Sequence, residues 1–366
     1  MRSPRKVMVG ISAAGCMAMA GCGGGSSDGD GGTATFDPAS ATGSDRSQRI
    51  QECAEDEGSV TLYTQLIVDQ AVEPLVAAFE SEYPGISVNY VRNDGASLVQ
   101  RLTNEQRAGQ VQADVYEGAL AGGAAVRAQV AQEFTTPATD GFPEQYLDPD
   151  NMYVPTVHYY GILAYNSERL SESDLPSSYD DLLKPQFANG AVAFGSDPGN
   201  SGPFLISAMR EAWGEDKTRD WLSKFAQQQP VDAGNTARAL ADQVISGEYG
   251  AGLPILAHHV SISAGQGAPV GAVSSLDPVP SQVSSAILIK DAPNPCAGML
   301  LIDFLLGEEG TDTLIDAGYI PVNPDRELPE ETNAVVPSED VEQFLTPAQL
   351  DEMRSESVEM FTEYFQ

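Results

Sequence analysis

Positive charge is scarce in this chain. Its 366 residues hold 19 Lys and Arg against 53 Asp and Glu, a formal net charge of −34. Such a surface repels nucleic acid, whose binding rests on neutralising phosphates. The acidic excess reads as a solubility adaptation with no bearing on a ligand, although it could favour a cationic one at long range. Histidine occurs only three times and cysteine four times. Two of the cysteines, Cys16 and Cys22, lie in the first 22 residues, which leaves Cys53 and Cys296. No segment after residue 22 is apolar for long enough to cross a bilayer, which takes about 20 residues. A Gly-x-Ser-x-Gly nucleophile elbow is also missing.

What is present begins with an export signal. Arg2, Arg5 and Lys6 precede Val7–Ala20, a run of apolar or small residues. A basic head and a short apolar run read as a secretory signal, expected over residues 1–21. Met19-Ala20-Gly21-Cys22 resembles a bacterial lipobox, in which the Cys is lipidated and becomes the mature N-terminus. Ala13-Ala14-Gly15-Cys16 also fits but leaves a shorter apolar run, and an ordinary cleaved signal with a chance Cys is the plain alternative. The lipobox implies a protein exported and lipid-anchored to the outer face of the cell membrane through Cys22, or else periplasmic. Gly23–Ser47 is Gly, Ser, Asp and Thr with almost no apolar content, so residues 22–55 are assigned to a flexible tether. Asp28-Gly29-Asp30-Gly31 lacks the spacing and distal Glu of a calcium loop. The remaining residues, about 310, suffice for two lobes with real cores.

The stretch Gly58–Tyr116 organises the rest. Ser59–Thr64 alternates around Val60, Leu62 and Thr64, a strand period. Val72, Leu75, Val76 and Phe79 recur at helical spacing, and Tyr83-Pro84-Gly85 stops that helix. Ile86–Val91 alternates again, Ser97–Ala108 stacks Leu98, Val99 and Leu102 on one face, and Ala113–Tyr116 is a third strand. Strand, helix, strand, helix, strand implies parallel strands with right-handed crossovers.

These residues carry a family resemblance. Tyr63-Thr64, then Phe79 with Tyr83-Pro84-Gly85-Ile86, then Glu105, Ala108-Gly109 and Ala113-Asp114-Val115 resemble the first lobe of the extracellular solute-binding proteins of ABC importers, nearest to the ferric-ion-binding, family 1 branch. The resemblance runs from about Gly58 to Asn323. It implies an α/β fold of two lobes, the type II or Venus-flytrap periplasmic-binding-protein fold, with hinge strands crossing between them. Lobe I is expected over 56–155, lobe II over 156–284, a return to lobe I over 285–325, and C-terminal helices packing on lobe II over 326–366. Val154–Asn166 resembles the segment that crosses between the lobes. The implied function is capture of a small ligand in the cleft and delivery to permease subunits in the membrane, by a monomer with no catalytic residues and no resident cofactor. By the family's topology Cys53 and Cys296 both lie in lobe I, near each other, and an exported protein meets an oxidising milieu. A disulfide is therefore expected, with two unpaired thiols as the alternative.

The same resemblance, carried over residue by residue, marks a candidate site. Thr64 and Gln65 stand where ferric-ion binders have a His after the first strand. Glu117-Gly118-Ala119 forms a Gly-rich turn at the carboxyl end of a parallel strand, where open α/β sheets bind ligands. Ala119 aligns with the family's metal-ligating Glu, and Glu117 comes two residues early. Tyr159 is either a cleft or a core residue. Ser201 and Gly202, at a helix start, align with an anion-holding Ser-Gly, although Pro203 removes one N–H donor; simple helix capping by Ser201 is the alternative. Asn235 aligns with an anion-contacting Asn. His258 and His259 replace the adjacent tyrosines whose phenolates bind Fe(III). Imidazole suits Zn, Ni, Cu or Fe(II) better, so the pair could ligate a transported metal ion or hydrogen-bond an organic or phosphorylated ligand; two ordinary residues at a helix start are the plain reading. Iron with an anion, another metal, a phosphonate or phosphorylated compound, and a polyamine all stay open as ligands. One reading from a different class is an exported hydrolase using Ser201, because Gly199–Pro203 resembles in outline a trypsin-like nucleophile loop. That chemistry needs a His and an Asp in defined geometry and many short strands, whereas this chain alternates strand and helix.

Overall fold

In the computed structural model, which describes residues 36–366 apart from 198–200, 234–235 and 324, the first long element is helix α1 (Arg46–Glu57). This corrects the tether expected as far as residue 55. Ile50 and Ala54 of α1 are fully buried, and Arg46 pairs with Asp303 at 2.5 Å, so residues from 46 onward belong to the folded body. The expected signal, Cys22 and the first part of the tether lie outside the described residues.

Gly58, with φ of 72°, closes α1 in the left-handed region that glycine tolerates best. There follow β1 (Ser59–Thr64), α2 (Glu73–Glu82), β2 (Ser87–Arg92), α3 (Gly95–Ala108) and β3 (Val115–Gly118). The Asp94 carboxylate caps α3 by accepting from Ser97 N–H at 2.9 Å, and Gly109 ends it with φ of 61°. β1 pairs in parallel with both β2 and β3, as the alternation of elements predicts.

The chain continues through β4 (Ala131–Gln132), the long β5 (Val154–Asn166), β6 (Val192–Phe194), α4 (Gly202–Trp213), α5 (Glu215–Gln227), β7 (Val231–Asp232), α6 (Ala237–Ile245), β8 (Ala251–Leu256), α7 (Ala257–Gly265) and β9 (Val270–Val273). The second long strand, β10 (Val279–Ile289), leads to α8 (Pro295–Leu306), α9 (Glu308–Asp316), α10 (Glu330–Asn333), β11 (Glu342–Phe344) and α11 (Pro347–Phe365). Strand order is β2-β1-β3-β10-β5-β8-β6-β7, with β4 and β11 beside β10 and β9 beside β5.

Two sets of parallel strands, β2-β1-β3 and β8-β6-β7, are thus joined by β10 and β5, which pair with each other antiparallel. β5 bonds to β10 through Val154–Tyr160 and to β8 and β9 from Gly161 onward. Each half has its own core. Tyr63, Leu98, Leu102, Tyr116 and Ile287 fill the first; Phe194, Leu205, Trp221, Phe225 and Phe361 fill the second. Burying one such side chain contributes about 1.5–3 kcal/mol.

Cys53 in α1 is bonded to Cys296 at the start of α8, with a Cα separation of 5.7 Å. Beside it the Glu57 carboxylate accepts from the N–H groups of Cys296 and Ala297, at 3.2 and 2.7 Å. The C-terminal segment differs from the helices expected over 326–366. β11 adds a parallel strand to β10. α11 places Met360 and Phe361 in the second core, but its first turns reach the other half, where Asp351 pairs with Arg127 at 2.5 Å. Gly123 permits this contact, because a Cβ there would lie 2.5 Å from Asp351 Oδ2.

Candidate ligand-binding cleft

The carboxyl ends of the parallel strands converge on one cleft of about 800 Å³. Gln65 follows β1, Arg92 ends β2, and Ala119 follows β3. Asp197 follows β6, Thr236 follows β7, and His258 and His259 follow β8; all seven line the cleft, with Tyr159 from β5 and Tyr319. This is where open α/β sheets place their ligands.

Gln65 is held by two glycines. Its Oε1 accepts from Ala119 N–H at 2.9 Å and from the Tyr116 hydroxyl at 3.2 Å. A Cβ at Gly118 would lie 2.3 Å from that Oε1, and one at Gly95 would lie 2.9 Å away. The amide is therefore pinned by its oxygen, and its N–H₂ is the end left to donate into the cleft. Gly118 acts through Gln65 and does not itself line the cleft.

His258 and His259 open α7 with ring centroids 4.2 Å apart, and His258 stacks on Tyr319 at 4.7 Å with Tyr159 5.0 Å away on another side. Both imidazoles are buried. Burial, with a smaller push from Arg238, takes His258 down to about 3. Burial also holds His259 well below its ordinary range, helped by His258, Arg238 and Arg92. At neutral pH both rings are uncharged, each with one donor and one acceptor nitrogen, and neither Nδ1 has a partner among the described residues. The Tyr159 and Tyr319 hydroxyls are pushed up, chiefly by burial, so phenolate is disfavoured at both.

Several expected site residues stand elsewhere. Glu117 is fully buried and accepts from three hydroxyls: Thr64 at 2.9 Å, Thr156 at 3.1 Å and Ser284 at 2.6 Å. Burial raises its pKa and the three donors oppose that rise. Glu117 and Thr64 thus tie β1, β3, β5 and β10 together beneath the cleft. Ser201 and Gly202 are packed against Gly195. The Gly202 N–H donates to Gly195 O at 2.8 Å and the Phe204 N–H donates to Ser201 O, so with Pro203 the start of α4 keeps no free backbone donor among the described residues. Ser201 is fully buried and its Oγ has no hydrogen-bond partner among the described residues; no base reaches it, and the hydrolase alternative is not supported. Asn235 lies outside the described residues.

Sequence reading missed the cations. Arg92, Arg127, Arg238 and Arg354 all line the cleft, four of only 19 basic residues in the chain. Arg127 and Arg354 flank Asp351 at 2.5 and 3.7 Å. Arg238 bonds Asp242 Oδ1 at 2.6 Å and Ser263 Oγ at 3.2 Å. The position of Arg92 at a strand's carboxyl end and of Arg238 in a helix's first turn was a usable signal; the other two reach the cleft through tertiary packing alone. Among the described residues, the one group of three His, Cys, Asp or Glu ligand atoms close enough for a metal is Cys53, Glu57 and Cys296, and its sulfurs are bonded to each other. Among the described residues His258 and His259 have no third such ligand beside them.

No curated protein sequence matches the chain. Solved structures do match its fold. Iron-bound HitA from Pseudomonas aeruginosa is 20% identical, with a TM-score of 0.68 over 84% of this chain and 99% of that one. AfuA from Actinobacillus pleuropneumoniae, with exogenous fructose-6-phosphate bound, is 21% identical, with a TM-score of 0.68 over 84% and 98%. The apo ferric ion-binding protein A of Pasteurella haemolytica is 18% identical, with a TM-score of 0.69 over 84% and 98%. The architecture is the two-lobe fold of periplasmic binding proteins, with β5 and β10 as its crossing strands. Residues 118–345 match the sequence family described as bacterial extracellular solute-binding protein, and with more than half its length in that match and a cleft between the two halves of the fold, the chain belongs to that family.

Proposed function

We propose that this protein captures a small organic anion between its lobes and hands it to the permease of an ABC importer, while a lipid on Cys22 holds it at the membrane. The observation that carries the ligand class is the gathering of four arginines around one cleft, against three aspartates there (Asp94, Asp197 and Asp351), in a chain of net charge −34. Three further features support it. A cleft of about 800 Å³ has the size of small-molecule sites, which run to roughly 300–1,000 Å³, and far exceeds a single metal ion. Neutral His258 and His259 suit hydrogen bonding to oxygen atoms. Protonated Tyr159 and Tyr319 do not suit a hard ferric ion, and Glu117 is committed to its three hydroxyls.

Thermal unfolding of the exported chain against a panel tests this reading. The panel holds Fe(III) with citrate, Zn, Ni, inorganic phosphate, phosphonates, sugar phosphates and polyamines. A ligand at about 100 times its dissociation constant adds about 2.7 kcal/mol, or roughly 5 °C in a chain of this size. The expected result is stabilisation by a phosphorylated or phosphonate compound. Stabilisation by a metal alone, lost in His258→Ala, would reverse the assignment.

A further inference from the structure

The cleft already contains an anion of its own. Asp351, in the second turn of α11, lines it together with Arg127 and Arg354. Its side chain is only 7% exposed. Oδ2 lies 2.5 Å from Arg127 Nη1, and Oδ1 lies 3.7 Å from Arg354 Nη2. Two of the four cleft arginines thus face a carboxylate that the chain itself supplies.

The contact is built into the packing. α11 is fixed to the second half, where Met360 and Phe361 enter the core. Leu350 packs in one cluster with Phe204 of α4, and the Ser357 hydroxyl lies 2.9 Å from that of Ser207. The first turns of α11 meet the first half at two successive glycines. A Cβ at Gly122 would lie 3.0 Å from Pro347 Cγ, and one at Gly123 would lie 2.5 Å from Asp351 Oδ2. The carboxylate is therefore delivered to Arg127 by a helix anchored elsewhere. That helix begins beyond residues 118–345, the part that matches the solute-binding family.

We propose that Asp351 is a built-in counter-anion, which occupies Arg127 and Arg354 in the empty cleft and which an incoming anion must displace to reach them. The proposal rests on the organic-anion reading and concerns its selectivity. Asp351 is tethered, so it competes at a high effective concentration. Its charge also stands, mostly buried, in the space an anion would enter, where like charges repel strongly. A small anion with one charge only takes the place of a carboxylate that is already held, and gains little. A ligand that also bonds other cleft groups, such as the Gln65 amide or the His258 ring, offsets the displacement. Asp351 thus keeps simple anions out of an arginine-lined site.

Titration calorimetry of the full chain with acetate and inorganic phosphate tests this, because acetate reproduces the Asp351 side chain as a free anion. Asp351→Asn keeps the shape of the side chain and removes its charge. It is expected to bind both anions at least about tenfold more tightly than the natural chain does. Adding Arg127→Gln to Asp351→Asn is expected to abolish that gain. Gly123→Ala, which crowds the carboxylate without removing it, is expected to gain part of the same affinity. Binding of both anions by Asp351→Asn that is equal to or weaker than binding by the natural chain overturns the counter-anion. The organic-anion reading then still stands if an organic anion of the thermal panel stabilises the natural chain. If none does and Asp351→Asn binds neither probe, both fall together.

Discussion

Acidification should cost this protein stability through His158, even though it relieves the repulsion among its many carboxylates. His158 lies in β5, stacked on Tyr160 at 5.1 Å and edge-on to Tyr146 at 4.9 Å. Burial alone takes it from 6.5 down to about 4. A histidine depressed in the folded state contributes stability that is complete above 6.5 and is lost as pH falls from 6.5 toward about 4, because the unfolded chain takes up the proton first. Each pH unit below that upper value costs about 1.4 kcal/mol, which makes about 2 kcal/mol at pH 5. Other groups act in the opposite sense. Asp114, raised to about 6 chiefly by burial, favours the fold as pH drops. Absolute melting curves therefore mix both effects, and the useful quantity is the difference between the natural chain and His158→Phe. Phe keeps a ring against Tyr160 and removes the proton site. Between pH 7 and pH 5 the variant should gain about 2 kcal/mol on the natural chain, or about 4 °C in Tm. Parallel Tm–pH curves for the two proteins would refute the reasoning.

Three further outcomes are expected. Reducing the Cys53–Cys296 bond, which spans 243 residues, should cost about 5 kcal/mol by chain entropy and lower Tm by on the order of 10 °C; a Tm indifferent to full reduction would show that the link is not structural. Gly118→Ala should push the Gln65 amide off Ala119, since the new Cβ would lie 2.3 Å from Gln65 Oε1. Faster hydrogen exchange at the Ala119 N–H is the readout, and an unchanged rate counts against this role for Gly118. Asp351→Ala and Gly123→Ala should loosen the same contact between α11 and the first half, by removing the carboxylate or by crowding it. Both should speed amide exchange across residues 121–128, and a difference between them would mean that the Arg127 pair is not the tie.

Regular elements with a clear period were readable in the sequence. β1 matches its expected bounds, and α3 starts two residues before them because Asp94 caps it. Elements that owe their form to tertiary contact were not. β5 is buried along nearly all of its 13 residues and carries no alternation that would give its length; the family resemblance, not any period, marks its bounds, Val154–Asn166. The break between α8 and α9 is made by Gly307, with extended backbone at ψ of 179°. At the site, the family resemblance led to Gln65, Ala119, Tyr159, His258 and His259, which line the cleft. It led equally to Glu117 and Ser201, both buried; Glu117 is enclosed by Thr156 of β5 and Ser284 of β10, far away in sequence. The arginines escaped notice because a total charge of −34 says nothing about where the few cations stand.

On the organic-anion reading, four arginines around the cleft of an acidic body give ligand capture an unusual dependence on ionic strength. At long range an approaching anion meets net repulsion; only near the cleft mouth does attraction take over. At low salt the repulsive field extends furthest, and at 0.1 M it is cut to a range of about 10 Å. The first added salt therefore removes the outer barrier while short contacts within the cleft are still little screened. The association rate should rise with salt before the affinity falls, the reverse of ordinary electrostatic steering, and brackish or saline surroundings would favour uptake.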